Sequence, residues 1–229
     1  MKFDSIARYV TVIIASVVLA LGMKNIGKTD RSVTVRGLAE REVDADLAVW
    51  PLSFSLGNND LKLLQNDIVS KTNAAISFLK EYGLSEEDFT VQAANIVDNS
   101  VNLYLDQDRL SYKYIGKATV LVRSNKIDAV KKAHNDSLKL AAFGITLSQD
   151  YDSRITFDFT ALNDIKPEMI ALATKNARQA AEQFAHDSGS RVGKIKNATQ
   201  GLFSINDAAI GLEEKKNVRV VTTVEYLLK

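Results

Sequence analysis

Few side chains in this sequence are of the types that usually do chemistry, and their spacing limits what they can do. None of the 229 residues is cysteine. That removes disulfides, thiolate nucleophiles and cysteine-held zinc or iron–sulfur clusters together. The two histidines, His134 and His186, stand alone. Neither has a second histidine one helical turn away, so a zinc hydrolase of the H-E-x-x-H type is excluded. His134 falls at helical spacing from Ile127 and Val130 and is expected to border a core. His186 belongs in the last turn of a long helix, where its cationic form suits the helix dipole. Gly189-Ser190-Arg191-Val192-Gly193-Lys194-Ile195 superficially looks like a phosphate loop. It is one residue short between the glycines, follows a helix instead of opening one, and has Ile195 where a magnesium-binding hydroxyl belongs. Asp44 with Asp46, and Asp106 with Asp108, are close carboxylate pairs. Acid–base work needs surroundings that drive two such pKa values apart, and the neighbouring residues supply none. They read as solvated turn or strand-end groups; the second pair also lacks the remaining ligands and glycine of a calcium loop. No catalytic, cofactor-binding or metal-binding residue is assigned, and the chain is expected not to be an enzyme.

The totals narrow the class further. Lys and Arg number 29 against 28 Asp and Glu, a formal charge of +1. A nucleic-acid binder normally carries a strong basic excess, so none is expected as partner. The densest charge run, Glu213-Glu214-Lys215-Lys216, cancels itself. The length permits one domain of about 200 residues or two small, intimately packed halves.

The elements that would carry these residues follow from periodicity. Residues 1–30 stand apart as a signal or anchor segment with its linker, and residues 31–229 as the globular part. Lys2 and Arg8 precede an uncharged run from Tyr9 to Met23, closed by Lys24. The run is shorter than the ~20 residues that span a bilayer comfortably. Its Val, Ile and Leu residues favour insertion by roughly 2–4 kcal/mol before polar costs. Ala20-Leu21-Gly22 supplies a small-x-small cleavage site, so a cleaved leader and a retained anchor both fit. A buried core helix is the plainer alternative, disfavoured by the basic flank and terminal position.

Strands are expected at Val33–Arg36 and Val43–Leu56, the second with Trp50, Leu52, Phe54 and Leu56 inward and an edge or bulge at Pro51. A helix capped by Asn58 or Asn59 follows, with Leu61, Leu64, Ile68, Ala75, Leu79 and Tyr82 as its stripe and Gly83 at its end. Ser85–Asp88 reads as a capped turn into a strand, Phe89–Val97; a polar connection, Asp98–Ser111, leads to an alternating strand, Tyr112–Arg123. Ser124 caps a second helix, which fades near Gly144. Ile155, Phe157 and Phe159 mark a strand feeding a long helix. Pro167 suits the first turn of that helix, with Asn163 or Asp164 as cap. Its face is Ile170, Ala173, Thr174, Ala177, Ala181 and Phe184, mostly alanine, which lets a backbone approach closely. Strands Ile195–Ile205 and Val218–Leu228 close the chain. The order predicts an α+β fold, a mixed or antiparallel sheet with helices packed on it.

The run Ala173-x-x-Asn176-Ala177-Arg178-x-Ala180-Ala181-Glu182-x-Phe184-Ala185-x-x-Ser188-Gly189, followed by Gly193-Lys194-Ile195, resembles the SIMPL-domain family of secreted and envelope proteins. Val33-Thr34-Val35-Arg36-Gly37 looks like that family's first strand and glycine, and Val43–Ala48 like the start of its second. Many members have Pro-Asp where this chain has Ala45-Asp46; with Trp50-Pro51, that departure marks a divergent branch. The resemblance implies an exported domain. Members include periplasmic proteins linked to stress tolerance, a periplasmic immunogen that forms ring-like assemblies, and an animal signalling adaptor.

Two functions are weighed. The first is a non-enzymatic protein of the periplasm, or of the extracytoplasmic face of the inner membrane in a bacterial envelope. It would self-associate as a homo-oligomer or bind an envelope partner, be held to the membrane by residues 9–23 if uncleaved, and serve in stress defence. The second is a ligand-binding or enzymatic domain with a cleft beside Tyr104, Tyr112 and Tyr114, where Arg109 or Lys113 would contact an anion.

Overall fold

The computed structural model describes residues 16–20, 31–101, 111–148 and 150–229. Ser16–Ala20 are helical; the rest of the 9–23 segment lies outside the described residues. Among the described residues no helix is long and apolar enough to cross a membrane. In chain order the elements are β1 (Ser32–Asp44), β2 (Leu47–Asn58), α1 (Leu61–Glu81), β3 (Phe89–Val91), β4 (Asn95–Asp98) and β5 (Tyr114–Ser124). They continue with α2 (Ile127–Asn135), a 3-10 turn (Ser137–Phe143), β6 (Thr156–Asp158), α3 (Leu162–Asp187), β7 (Val192–Gln200), β8 (Ser204–Asp207) and β9 (Lys215–Leu228). One sheet runs β1-β9-β7, with β8 also on β9; the other runs β3-β5-β2-β6, with β4 also on β5. Helices with antiparallel sheets make this an α+β fold, as the element order predicts.

The chain divides into two compact units. The first is built from the described part of Met1–Ala39 with Ile170–Leu202 and Val220–Lys229, the second from Glu40–Met169 and Phe203–Arg219. In the second, Trp50, Leu52 and Phe54 of β2 and Ala118, Val120 and Val122 of β5 are buried on one sheet face, as alternation requires. Leu64, Ile68, Ala75, Phe78 and Leu79 of α1 complete this core. In the first unit the core is small: Val35, Ala177, Ala181, Val224 and Tyr226.

The face of α3 is displaced from the expected one. Ala173, Ala177, Ala181 and Ala185 are buried, a strict four-residue repeat, whereas Phe184 is 63% exposed. Strand β1 explains why alanine is needed. A Cβ added to Gly37 would lie 1.9 Å from the Ala173 carbonyl oxygen and 2.4 Å from the Ala177 nitrogen. Helix and strand backbones are in contact there, and no side chain fits between them. Asn176 adds a hydrogen bond of 2.8 Å to the Leu38 carbonyl.

Several expected boundaries move, each through a contact remote in sequence. The first strand does not stop near Gly37 but runs to Asp44, so Val43 belongs to β1 and the turn is Ala45-Asp46. Helix α3 starts at Leu162, which puts Asn163, Asp164 and Pro167 inside it. The Asn163 carbonyl that Pro167 deprives of a donor lies on an exposed residue. Asp46 braces the approach to the helix: its carboxylate accepts from the Thr160 N–H at 2.7 Å and the Ala161 N–H at 2.8 Å, just ahead of Leu162. Asp60 caps α1, accepting from Lys62 N–H and Leu63 N–H, and Leu61 is exposed. Asn58 only supports that cap, by accepting from the Asp60 N–H. The strand expected over Phe89–Val97 is β3 and β4, and that over Ile195–Ile205 is β7 and β8. Gly83 and Gly189 follow α1 and α3 at φ of +85° and +66°, as their positions predict.

Two substitutions test these contacts. Gly37→Ala must push α3 off β1 and is expected to cost about 3 kcal/mol or more. Thermal unfolding should show a clearly lower midpoint, and an unchanged midpoint would contradict the backbone contact. Asp46→Ala should cost about 1–2 kcal/mol through lost N–H acceptors, with Asp46→Asn intermediate in the same measurement.

Candidate functional site

The concavity beside the middle of β2 begins with a residue that cannot extend a sheet. β6 pairs with β2 only over Leu47–Val49, and the next cross-connection on that side is the Phe54–Leu147 bridge. There the Ser148 N–H donates to the Ser53 carbonyl at 2.8 Å, so the main-chain groups of Ser53 point away from β5. Strand residues two apart point the same way. Pro51 therefore turns its carbonyl and its hydrogen-free nitrogen toward the gap, and opposite Leu121 it loses no ladder bond. The sequence expectation of an edge at Pro51 holds: the strand is central at its ends and open in its middle. The side-chain bond between Ser53 and Thr119, 2.8 Å, fits the close, non-bonded pairs of such a ladder.

The gap opens into a cavity of about 530 Å³. Its floor is Trp50–Ser53. One wall comes from the end of α2 and the 3-10 turn (His134, Ser137, Leu138, Ala141). The other is Ile145–Ser148 with Asp150, Ser153 and Arg154. His134 meets Trp50 edge-on, ring centroids 5.2 Å apart at 81°. Burial lowers the His134 pKa, against an opposing hydrogen bond with Asn135, so the ring is neutral near pH 7. Asp150 is held by Lys117 at 3.0 Å. Ser153 is 9% exposed and its hydroxyl has no hydrogen-bond partner.

The residues singled out from sequence are dispersed. His134 borders the core as expected, whereas His186 is exposed beside Asp187 at 3.4 Å. Asp44 pairs with Lys215 at 2.5 Å and Asp46 holds the Thr160 and Ala161 amides ahead of α3, so they form no catalytic pair. Asp106, Asp108, Tyr104 and Arg109 lie outside the described residues. Tyr112 and Tyr114 do not line the cavity: the Tyr112 ring covers Gly57, and Tyr114 packs against the β2–β5 core with Lys113 5.1 Å from its ring centroid. Gly189–Val192 border a shallow depression with His186 at the end of α3. Ser153 and Arg154 escaped sequence reading because nothing local distinguishes them. Pro51 was the one usable signal.

The other exposed feature is β7. From Lys194 to Gln200 every residue is exposed, although β9 beside it is buried at every second position. β7 has β9 on one side and, among the described residues, no strand on the other. The Gly201 N–H donates to the Val221 carbonyl on β9, so by alternation the N–H groups of Ala198 and Gln200 point to the free side.

A family model described as "SIMPL: Protein of unknown function (DUF541)" matches residues 33–226. The chain belongs to the SIMPL family. A search of curated proteins found no match for it. The match spans both units of this SIMPL protein, and so includes Gly37, the alanine face of α3, the cavity and β7.

A buried carboxylate near the second helix gives a pH-dependent prediction. Asp88 accepts from Ser124 (2.6 Å), from Lys126 (2.6 Å) and from the backbone and hydroxyl of Ser85 (both 2.8 Å). Ser124 also accepts from the N–H of Lys126, the residue just before α2, so it braces the helix start instead of capping it. Burial alone would raise the Asp88 pKa. The bonds from Lys126, Ser124 and Ser85 outweigh it and hold the group well below the carboxylate range. A depressed folded pKa means stability that is fully present above the unfolded value, about 4, and lost as pH falls through the folded one. Urea midpoints should therefore show native protein ahead of Asp88→Asn by a constant margin above about pH 5. The margin should shrink steadily below about pH 4. A margin independent of pH would contradict an ionised Asp88.

Proposed function

We propose that this SIMPL protein is a non-enzymatic component of a bacterial envelope, exported by residues 9–23 and acting through association with copies of itself. The observation that carries this reading is β7, a strand of nine residues exposed from Lys194 to Gln200 and carrying an unpaired edge. Such an edge is a template for another strand. A second copy is its natural occupant, because β7 laid antiparallel to β7 about a two-fold axis satisfies both edges at once. From Asn197 to Gln200 the strand keeps continuous register with β9, so the free edge is straight where Ala198 and Gln200 offer their N–H groups. Lys196, the charge best placed to repel a partner, is neutralised by Glu225 at 3.1 Å.

Support for a role without turnover comes from where the carboxylates go. Asp46 holds two amides ahead of α3, Asp88 braces the start of α2, Asp136 is bonded by Tyr82 at 2.6 Å and Lys139 at 2.7 Å, and Asp150 is paired with Lys117. An acid or base for catalysis must be free to exchange its proton with a substrate. These are tied to the frame. Work in the periplasm, or on the outer face of the inner membrane, follows from the leader and fits the family's exported members.

Ala198→Pro tests the association. It removes an N–H from the free edge without breaking the ladder to β9, a position at which an edge strand accepts proline. Light scattering on residues 31–229 should give an oligomer for the native sequence and a monomer for Ala198→Pro with an unchanged circular dichroism spectrum. A native monomer at high concentration would overturn self-association and leave a different envelope protein as the occupant of β7. Fractionation of the protein's own cells, with the N-terminal residue of the purified protein, tests export: intact protein in the cytosol would end that part of the proposal.

A further inference from the structure

A net charge near zero hides an uneven distribution. In the first unit, residues 31–39, 170–202 and 220–229 carry eight lysines and arginines against three acidic side chains, Glu182, Asp187 and Glu225. The second unit, residues 40–169 with 203–219, carries seventeen against twenty-three. All three carboxylates of the first unit are engaged. Glu182 meets Arg178 at 2.8 Å, Asp187 accepts from Gln183 beside His186, and Glu225 holds Ser32 at 2.7 Å and Lys196 at 3.1 Å. Arg31, Arg36, Lys175, Arg191, Lys194 and Lys229 are exposed and, among the described residues, have no carboxylate within ion-pair distance.

Four of these six gather at one end of the sheet. Arg31 precedes β1, Arg191 precedes β7 and Lys229 follows β9, the strand between them. The Arg31 carbonyl accepts from the Leu228 N–H at 2.7 Å, and Arg191 and Lys229 exchange both backbone bonds at 2.9 and 2.8 Å. Neighbouring strands lie about 4.8 Å apart, so the three backbones stand within about 10 Å, and Lys194 follows three positions along β7. Their main chains are held while their charged heads are not; the Arg31 guanidinium comes only to 3.5 Å from the Ser190 hydroxyl. The end of α3 offers about half a negative charge, and even a terminal carboxylate on Lys229 leaves an excess of cations. Like charges gathered without counter-charges repel, so this end gains from an anion brought to it.

We propose that this basic end of the first unit lies on a bilayer surface of anionic lipids. The inference rests on residues 9–23 staying in the membrane and adds how the domain sits once held there. Arg31 is the residue at which the globular part meets the leader. Residues 24–30 reach at most roughly 25 Å when fully extended, so an anchored chain keeps the cationic end beside the bilayer. Lys24 and Lys28 continue the basic stretch against a single acid, Asp30. Exposed lysines and arginines without fixed partners suit lipid headgroups, which attract charge without demanding one geometry. β7 begins at this end, so Asn197–Gln200 lie six to nine residues further along and stay clear for a second copy.

Flotation of the full chain with vesicles tests this, using phosphatidylcholine alone and phosphatidylcholine mixed equally with phosphatidylglycerol. The anchor inserts into both, so the ratio of the two partition coefficients reports charge. That ratio should favour the anionic vesicles about a hundredfold at low salt. It should fall toward unity at about 1 M salt, where screening acts within about 3 Å. Each of Arg191→Gln, Lys194→Gln and Lys229→Gln should lower it about fivefold. Their melting temperatures should be equal or higher, because repulsion is relieved and the backbone bonds are kept. Lys62→Gln, at an exposed lysine of the second unit, should leave the ratio as it is. Loss of binding to neutral vesicles with the anionic preference intact would end the anchor and still assign the basic end to lipid. Equal partitioning into both vesicles, or a ratio that the three substitutions together leave unchanged, would overturn the assignment. So would a salt-sensitive association between copies weakened by those substitutions without change in the ratio, which would give the basic end to the acidic unit of a second copy.

Discussion

The contact on which the first unit depends is between two backbones. At Gly37 the missing side chain lets α3 lie directly on β1, with the Ala173 carbonyl and Ala177 nitrogen where a Cβ would otherwise be. Burying a methyl group removes little apolar area, about 0.8 kcal/mol per carbon, so an alanine face cannot stabilise a helix as a leucine face does. What it gains is proximity. Dispersion falls steeply with separation, and a helix seated against main chain meets peptide atoms along its whole contact. The residues that complete this core, Val35, Val224 and Tyr226, are larger and stand around the contact instead of within it. Glycine at 37 and alanine at 173 and 177 therefore form one requirement. A larger side chain at any of the three removes the benefit of the other two.

The second unit follows the more familiar rule of large residues on alternate strand positions, and there the informative feature is an interruption. Pro51 is tolerated because its nitrogen points away from β5, toward a stretch that β6 does not reach. The same parity that spares the ladder also aims the proline carbonyl into open space. Had the side chain two residues on been bonded the other way, Ser53 could not have met both Thr119 through its hydroxyl and Ser148 through its carbonyl. A single proline thus settles three things: the length of β6, the return of the chain at Leu147, and a cavity where a strand would otherwise be.

Much of this organisation is legible in the sequence because it is local. Alternation in Trp50–Leu56 and Tyr112–Arg123 locates β2 and β5 and their buried faces, and glycines 83 and 189 mark helix ends. Errors arise where a distant residue supplies what a local one was expected to give. Asn163 or Asp164 is a sound cap for a helix beginning at Pro167. The helix begins earlier, at Leu162, and Asp46, over a hundred residues away, holds the two amides just ahead of it. Phe184 looks like a core residue by hydrophobicity. The close approach at Gly37 selects the alanine row instead, and Ala185, not Phe184, continues that row. Ser153 has no local signature at all; its significance lies in lacking a partner, which only the folded arrangement reveals.

Several carboxylates of the second unit are likewise held by partners of their own. Asp44 and Asp46, close enough in sequence to be considered as a pair and read as solvated turn or strand-end groups, are bonded separately, Asp44 to Lys215 and Asp46 to two amides, and Asp88 is held by an ammonium and two hydroxyls. At Asp88 those bonds outweigh burial and hold the pKa well below the carboxylate range, so the group stays ionised. What the described residues leave unsatisfied includes groups of another kind: amides along the free edge of β7, a carbonyl at Pro51 and the hydroxyls of Ser153 and Thr222. Amides, carbonyls and hydroxyls do not titrate near pH 7; they recognise. Neutral donors and acceptors of this kind are the groups by which a fold holds a partner in place.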